Sequence, residues 1–312
     1  MAAATIVDVA IIGGSFAGLA AALPLAQARA SVKLFDTALP RNRFAHEARN
    51  ILGFDRRNPA DLLATTRDQL SHYATVQSIP RAVVRAEALE PGQGFRLTDG
   101  TGEQHTARRV LLTYGVKDEL EDVPGLQECW GASVIHCPYC HGHAYGGKRL
   151  GVVLFTAMHA HMVKLLLNSW SKDVTGIVPS EDALTPEQLE ELRGLGVNIV
   201  QGKLAELEHD SQALTAVKLQ DGTSIPLDAL FYAKKIAPTC DLAEQLGCNM
   251  KEHPMCKLVD VDPSQRTSVP GVYAAGDIIT PLQTVPSASG SGFMAGAMAH
   301  QSLVFPAMHG FE

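Results

Sequence analysis

IVDVAIIGGSFAGL, residues 6–19, decides the fold. The unbroken apolar run at 6–12 suits a parallel strand buried on both faces, and 16–29 suits a helix. Between them lies GGSFAG, 13–18. A strand passing through a glycine turn into a helix is the device by which a βαβ unit grips a dinucleotide. One glycine makes the tight turn, one lets pyrophosphate approach the backbone, and one lets helix and strand pack. Gly13 and Gly18 fill the outer positions. Ser15, small enough to keep a phosphate near the backbone, stands in the middle, with Gly14, Phe16 and Ala17 completing the turn. A second strand, SVKLFD at 31–36, ends in Asp36, 18 residues beyond Gly18. A carboxylate there can accept both hydroxyls of an adenosine ribose. Pro24, inside the helix, predicts a kink.

The chain has 312 residues, enough for two domains of ordinary size. Its 46% hydrophobic and 19% charged residues describe a soluble globular protein. A net charge of −7 argues against broad binding to nucleic acid or anionic membrane, and no apolar run is long enough to span a bilayer. The N-terminal MAAATIVDVAIIGG lacks the basic start of a signal peptide, so the expected compartment is the cytoplasm. Six cysteines in such a chain do not predict a structural disulfide framework. Cys129, Cys240, Cys248 and Cys256 are expected as small buried apolar residues.

The remaining two cysteines stand in HCPYCHGH, 136–143. Cys137 and Cys140 could hold zinc, cycle between dithiol and disulfide, or sit in a core. Zinc is disfavoured, because Cys137, Cys140, His141 and His143 fall within seven residues stiffened by Pro138, and such a short loop can hardly surround a tetrahedral ion. No metal is expected. A redox pair at the start of a helix fits better, since the dipole and adjacent imidazoles favour the thiolate.

Further motifs resemble two-dinucleotide-binding flavoproteins. SVPGVYAAGDII, 268–279, is similar to their closing motif, in which the aspartate after glycine binds the ribityl and phosphate part of FAD. TYGV, 113–116, fills the place of their Ala-Thr-Gly turn, and a Gly/Ala-rich helix follows from about 287 to 304. Over nearly its full length the chain resembles the low-molecular-weight thioredoxin reductases. Within them it is most similar to the FAD-dependent dithiol oxidases that close disulfides in natural products of the gliotoxin, holomycin and romidepsin type. The resemblance rests on IIGGSFAGL, PRNRFAHEARNILGFD, DELEDVPGLQECWGASVIHCPYCHGH and GVYAAGD. True thioredoxin reductases usually carry Asp where His141 stands.

The resemblance implies FAD bound by Gly13, Gly14, Ser15, Phe16, Ala17, Gly18, Asp36, Thr113, Gly115, Gly276, Asp277, Thr284 and Val285. It implies that Cys140 exchanges electrons with the flavin and Cys137 with the substrate. The substrate is then a small-molecule dithiol and the electron acceptor O2, with peroxide as product. A base is needed for each substrate thiol, whose pKa lies near 8.5. His136, oriented by Asn42, is favoured by the resemblance, and His141 stays an alternative. A homodimer is also implied.

A thioredoxin reductase would need NADPH. The insert opens well with GKRLGVVLF, 147–155, but FTAMHAHMVKLL, 155–166, follows without a glycine. Phe155, Met158 and His159 occupy the place where pyrophosphate must approach the backbone. After strand DVTGIV, 173–178, the expected arginines are replaced by Glu181 and Asp182, which repel a 2′-phosphate. His159 and His161 are read as packing or surface residues.

The expected fold is α/β, with two dinucleotide-binding (Rossmann-like) domains, the second inserted into the first. Residues 1–117 and 241–312 form the FAD domain, and 118–240 form a degenerate NADPH-type domain carrying the Cys-x-x-Cys. The rival functions are a thioredoxin reductase-like enzyme reducing a protein disulfide with electrons from NADPH or ferredoxin, and a flavin-bearing redox sensor without turnover.

Overall fold

Strand Val7–Ile12 lies inside a seven-stranded sheet, which is why its apolar run is unbroken. In the computed structural model, which describes residues 6–309, it pairs in parallel with Val32–Phe35 on one side and Gln104–Leu112 on the other. Val76–Ile79 extends the first edge in parallel. Beyond Gln104–Leu112 the chain turns antiparallel through Phe95–Asp99 and Val83–Ala88. Val272–Ala274 returns from far along the chain to pair in parallel with the end of Gln104–Leu112, Val272 opposite Val110. The parallel strands therefore end together, and the segments after them (13–18, 36, 113–116 and 275–277) emerge from one end of the sheet, where α/β folds bind ligands.

The described chain forms two compact units, one of residues 1–43, 58–117 and 236–312 and one of 44–57 and 118–235. Two stretches differ from the expected boundaries. Residues 236–240 join the first unit, where Thr239 donates its N–H to Gly115 and its hydroxyl to the Tyr114 carbonyl. Residues 44–57 leave the first unit for the second, where Phe44 packs beneath Gly131 and against the core around Trp130.

In the first unit, helix Phe16–Gln27 continues through Pro24 and lies against helix Val285–Val304. The approach is set by glycines: a Cβ on Gly292 would fall 2.1 Å from the Ala17 carbonyl oxygen, and one on Gly296 2.3 Å from that of Ala21. On the antiparallel hairpin, buried Asp99 accepts from Arg81, from the Thr101 backbone and hydroxyl, and from the Glu103 N–H, with His105 Nε2 at 3.3 Å. The Arg81 hydrogen bond and ion pair hold its carboxyl well below the usual range. Asp99, Glu103 and His105 lie close enough to share a cation, but Arg81 already bridges both carboxylates.

The second unit has a parallel five-stranded sheet in the order Asn198–Gln201, Val174–Val178, Leu150–Val153, Ala229–Phe231 and Val134–Ile135. A three-stranded antiparallel sheet, Leu204–Asp210, Ala213–Leu219 and Ser224–Pro226, adds to its core. The α/β class and two Rossmann-like sheets match the expectation. The redox loop follows the short edge strand Val134–Ile135, at the same end of the sheet as the turn after Leu150–Val153.

Because the clash at Gly296 is with backbone, Gly296→Ala should lower the unfolding free energy of the flavin-loaded protein by about 2 kcal/mol. Gly290→Ala, with open space around its Cβ, should be neutral or slightly stabilising. Urea unfolding of both variants checks this, and equal losses would show that the helix pairing does not depend on Gly296.

Candidate active site

The first unit gathers most of the residues expected to hold FAD. Gly13 has φ +110°, and a Cβ there would lie 2.2 Å from the Thr113 carbonyl oxygen. A Cβ on Gly18 would lie 1.8 Å from the Gly13 carbonyl, and one on Gly14 would strike the Asp36 side chain. Thr113 donates its hydroxyl to the Gly13 carbonyl at 2.8 Å, tying the two strand ends together. Ser15 is the N-cap of helix Phe16–Gln27, and its hydroxyl makes no capping bond. Gly276, at φ +80°, comes within a methyl's reach of Ala17 and accepts positioning from Ser291, whose Oγ receives its N–H. Gly115 follows Thr113 at φ +72°. Thr284 caps helix Val285–Val304, accepting from the Ser287 N–H at 3.2 Å.

These residues fit the cofactor. The turn admits no side chain at Gly13, Gly14 or Gly18, the helix after it offers amides, and each Asp36 oxygen keeps a lone pair. Asp36 Oδ2 accepts from Arg67 at 2.9 Å and Oδ1 from the Ala38 N–H at 3.1 Å. Asp277 faces Arg41 at 3.7 Å, and Arg41 also donates to Gln283. Sequence reasoning missed Arg67 and Arg41. Arg67 sits on helix Pro59–Ser71, outside every motif, and PRNRF was read for Asn42 alone. Asn42 itself lies in the 3-10 turn Arg41–Phe44.

In the second unit, Cys137 and Cys140 form a disulfide. Cys137 is the N-cap of the single helical turn Pro138–His141, and its Sγ accepts from the Cys140 N–H at 3.2 Å. Both tryptophans of the chain support this loop. Trp130 stacks on His136 at 5.9 Å between ring centroids. Trp170 meets Tyr139 edge to face at 5.6 Å and leaves Gly142 so little room that a Cβ there would lie 2.8 Å from the indole. Neither tryptophan carried a sequence signal beyond its type.

The two candidate bases differ. Burial, with the Arg49 charge nearby, pushes the His141 pKa down to about 4, and its Nδ1 is buried without a hydrogen-bond partner. His141 is therefore neutral near pH 7 and a poor proton acceptor for a thiol. His136 stands on the strand side of the disulfide, half-buried. His143 is exposed.

The second dinucleotide turn is closed by side chains. His159 is buried, Nδ1 receiving the Thr156 N–H at 3.2 Å and Nε2 facing the Ala233 carbonyl at 2.7 Å. These partners fix a neutral imidazole protonated at Nε2, and burial lowers its pKa. Phe155 meets His159 and Tyr232 edge to face, with Lys234 over its ring. The amide at the helix start is thus capped by an imidazole where a phosphate would have to sit. Glu181 and Asp182 are exposed after the next strand, and His161 is on the surface.

The family described as "Pyridine nucleotide-disulphide oxidoreductase" matches residues 7–292. The chain is 31% identical to thioredoxin reductase tcpT of Claviceps purpurea (strain 20.1), over 97% of this chain and 96% of that protein. Among solved structures, an oxidoreductase from Agrobacterium tumefaciens is 36% identical with a TM-score of 0.89, covering 97% of this chain and all of that one. HlmI is 31% identical with a TM-score of 0.90, covering 97% and 94%.

Two outcomes follow from the loop geometry. Gly142→Ala should slow reduction of the disulfide by dithiothreitol on the order of tenfold, by displacing the redox turn from Trp170; an unchanged rate in stopped-flow mixing would refute the constraint. A His141 pKa below its unfolded value near 6.5 means that the unfolded chain binds more protons between pH 6.5 and 4. Stability from this residue is therefore complete above pH 6.5 and lost as pH falls toward 4. The His141→Asn variant should lose less stability than the native chain between pH 7 and 4.5, measured by urea unfolding.

Proposed function

On the premise that the chain belongs to the pyridine nucleotide-disulphide oxidoreductase family and is a flavin-dependent thiol/disulfide oxidoreductase, we propose that it oxidises a small-molecule dithiol to a cyclic disulfide. The observation that carries this reading is the pairing, in one unit, of an intact Cys137–Cys140 disulfide with a dinucleotide turn filled by Phe155 and His159. A dinucleotide turn closed in this way, beside an intact disulfide, supports electrons that enter from a thiol rather than from a nicotinamide.

A substrate thiolate attacks Sγ of Cys137, and Cys140 leaves as the thiolate. The second substrate thiolate attacks the substrate's own sulfur in the mixed disulfide, expelling Cys137 and closing the ring. The Cys140 N–H on Cys137 Sγ lowers the energy of that leaving thiolate. His136 takes up the substrate thiol protons, a role supported by the weak basicity of His141, and Asn42 is carried as a further catalytic residue by the family resemblance. When bound, FAD would supply two-electron redox chemistry between the enzyme dithiol and O2, with hydrogen peroxide as the product. Gly13–Gly18, Asp36, Thr113, Gly115, Gly276, Asp277, Thr284 and Val285 hold the cofactor in this reading.

The enzyme works as a homodimer, a reading supported by exposed Phe293 and Met294 on the last helix and Leu282 before it. It works in the cytoplasm, a reading supported by four unpaired cysteines in a chain with a single disulfide.

Under anaerobic conditions dithiothreitol should bleach the flavin and excess NADPH should not. On admission of air the colour should return with one peroxide per dithiol consumed. Cys137→Ser and Cys140→Ser should each abolish the dithiol reaction. Prompt bleaching by NADPH would return the protein to the thioredoxin reductases.

A further inference from the structure

Residues 44–57 join the unit that carries the disulfide, although the sequence places them between elements of the other. Their conformation is well tied. Ala48 donates its N–H to the Arg57 carbonyl at 2.7 Å, and Arg56 returns its N–H to Ala48 at 2.8 Å. Glu47 holds Arg49 at 2.8 Å and Arg56 at 3.3 Å. Asn50, at φ +62°, donates its N–H to Asp55 at 2.6 Å and its side-chain amide to the carbonyl of Tyr139 at 3.1 Å. Tyr139 is one of the two residues between the cysteines.

The tip of this turn, Ile51-Leu52-Gly53-Phe54, carries no charge. Leu52 is 99% exposed, Phe54 54% and Tyr139 66%. They are three of the five large apolar side chains exposed among the described residues of this unit, the others being Met158 and Leu195. A single exposed leucine means little. Here three apolar groups lie on two segments joined by a hydrogen bond, and one of those segments is the redox turn.

We propose that Leu52 and Phe54, with Tyr139, form the wall that receives the apolar flank of the dithiol substrate. This rests on the dithiol oxidase reading and names its substrate class: a compact dithiol with an aromatic or aliphatic face. A molecule joined to Cys137 in a mixed disulfide stands two residues from Tyr139, whose carbonyl is tied to the turn by Asn50. Three side chains can cover one face of a ring, whereas a stable protein partner needs about 800 Å² from each side.

The test compares benzene-1,2-dimethanethiol with dithiothreitol as substrates of the flavin-loaded protein. The Leu52→Ser/Phe54→Ser variant should lose about tenfold in kcat/KM for the aromatic dithiol, through KM, and several-fold less for dithiothreitol. Calorimetric binding of the cyclic disulfide of benzene-1,2-dimethanethiol, which requires no turnover, should weaken by a similar factor. Leu52→Phe, which keeps an apolar side chain at that position, should retain the preference for the aromatic dithiol. Equal losses for both dithiols, unchanged constants for both, or no calorimetric difference would each overturn the proposal. If the native protein turns over neither dithiol, the oxidase reading fails, and the calorimetric comparison still decides the wall.

Discussion

The glycines of the turn at 13–18 have no space for a single added carbon, and much of the first unit follows from that. Gly13 must sit under the Thr113 carbonyl, and Gly18 under the carbonyl of Gly13. The helix that leaves the turn must then lie close enough for Gly292 and Gly296 to meet its backbone. Four stretches separated by up to 264 positions are thereby brought to one end of one sheet. A dinucleotide needs such an arrangement, because backbone amides reach a phosphate only where side chains are absent.

Two turns of the same topology have reached opposite ends. In the first unit, glycine leaves the helix start bare and Ser15 makes no cap. In the second, Thr156 and His159 close the helix start on itself, and Phe155 fills the space with aromatic edges. The βαβ frame survives, since its strands Leu150–Val153 and Val174–Val178 are buried throughout. What changed is the chemistry at its mouth, from a receptor for anions to a packed corner. The neutral imidazole is well suited to this, because it offers one acceptor and one donor to two backbone groups, the Thr156 N–H and the Ala233 carbonyl.

Much of the fold was legible because it is written in local patterns. Apolar runs marked the parallel strands, glycine spacing marked the first turn, and the missing glycine marked the closed one. The disulfide residues were equally plain. Less visible were the supports whose partners lie far along the chain. Arg67 reaches Asp36 from a helix with no motif, and Arg41 meets Asp277 across more than 200 positions. Trp170 shapes the redox turn only because strand order brings the end of helix Ala157–Ser169 beneath Gly142. The weak basicity of His141 also escaped sequence, since it comes from burial and from the charge of Arg49, which spacing does not show. Residues 44–57 were assigned by chain order to the wrong neighbourhood for a similar reason: Phe44 finds its packing partner beside Trp130.

The discontinuity of both units has a consequence for how the protein is made. Synthesis delivers helix Phe16–Gln27 long before helix Val285–Val304, whose first residue follows Gln27 by 258 positions. At ribosomal speeds that interval is roughly 13–50 s. Throughout it, the alanine-rich face of the early helix has no partner, while all segments of the inserted unit emerge before the later helix does. The insert can thus be complete while the nucleotide unit is still open, and it is helix Val285–Val304, emerging later, that closes it.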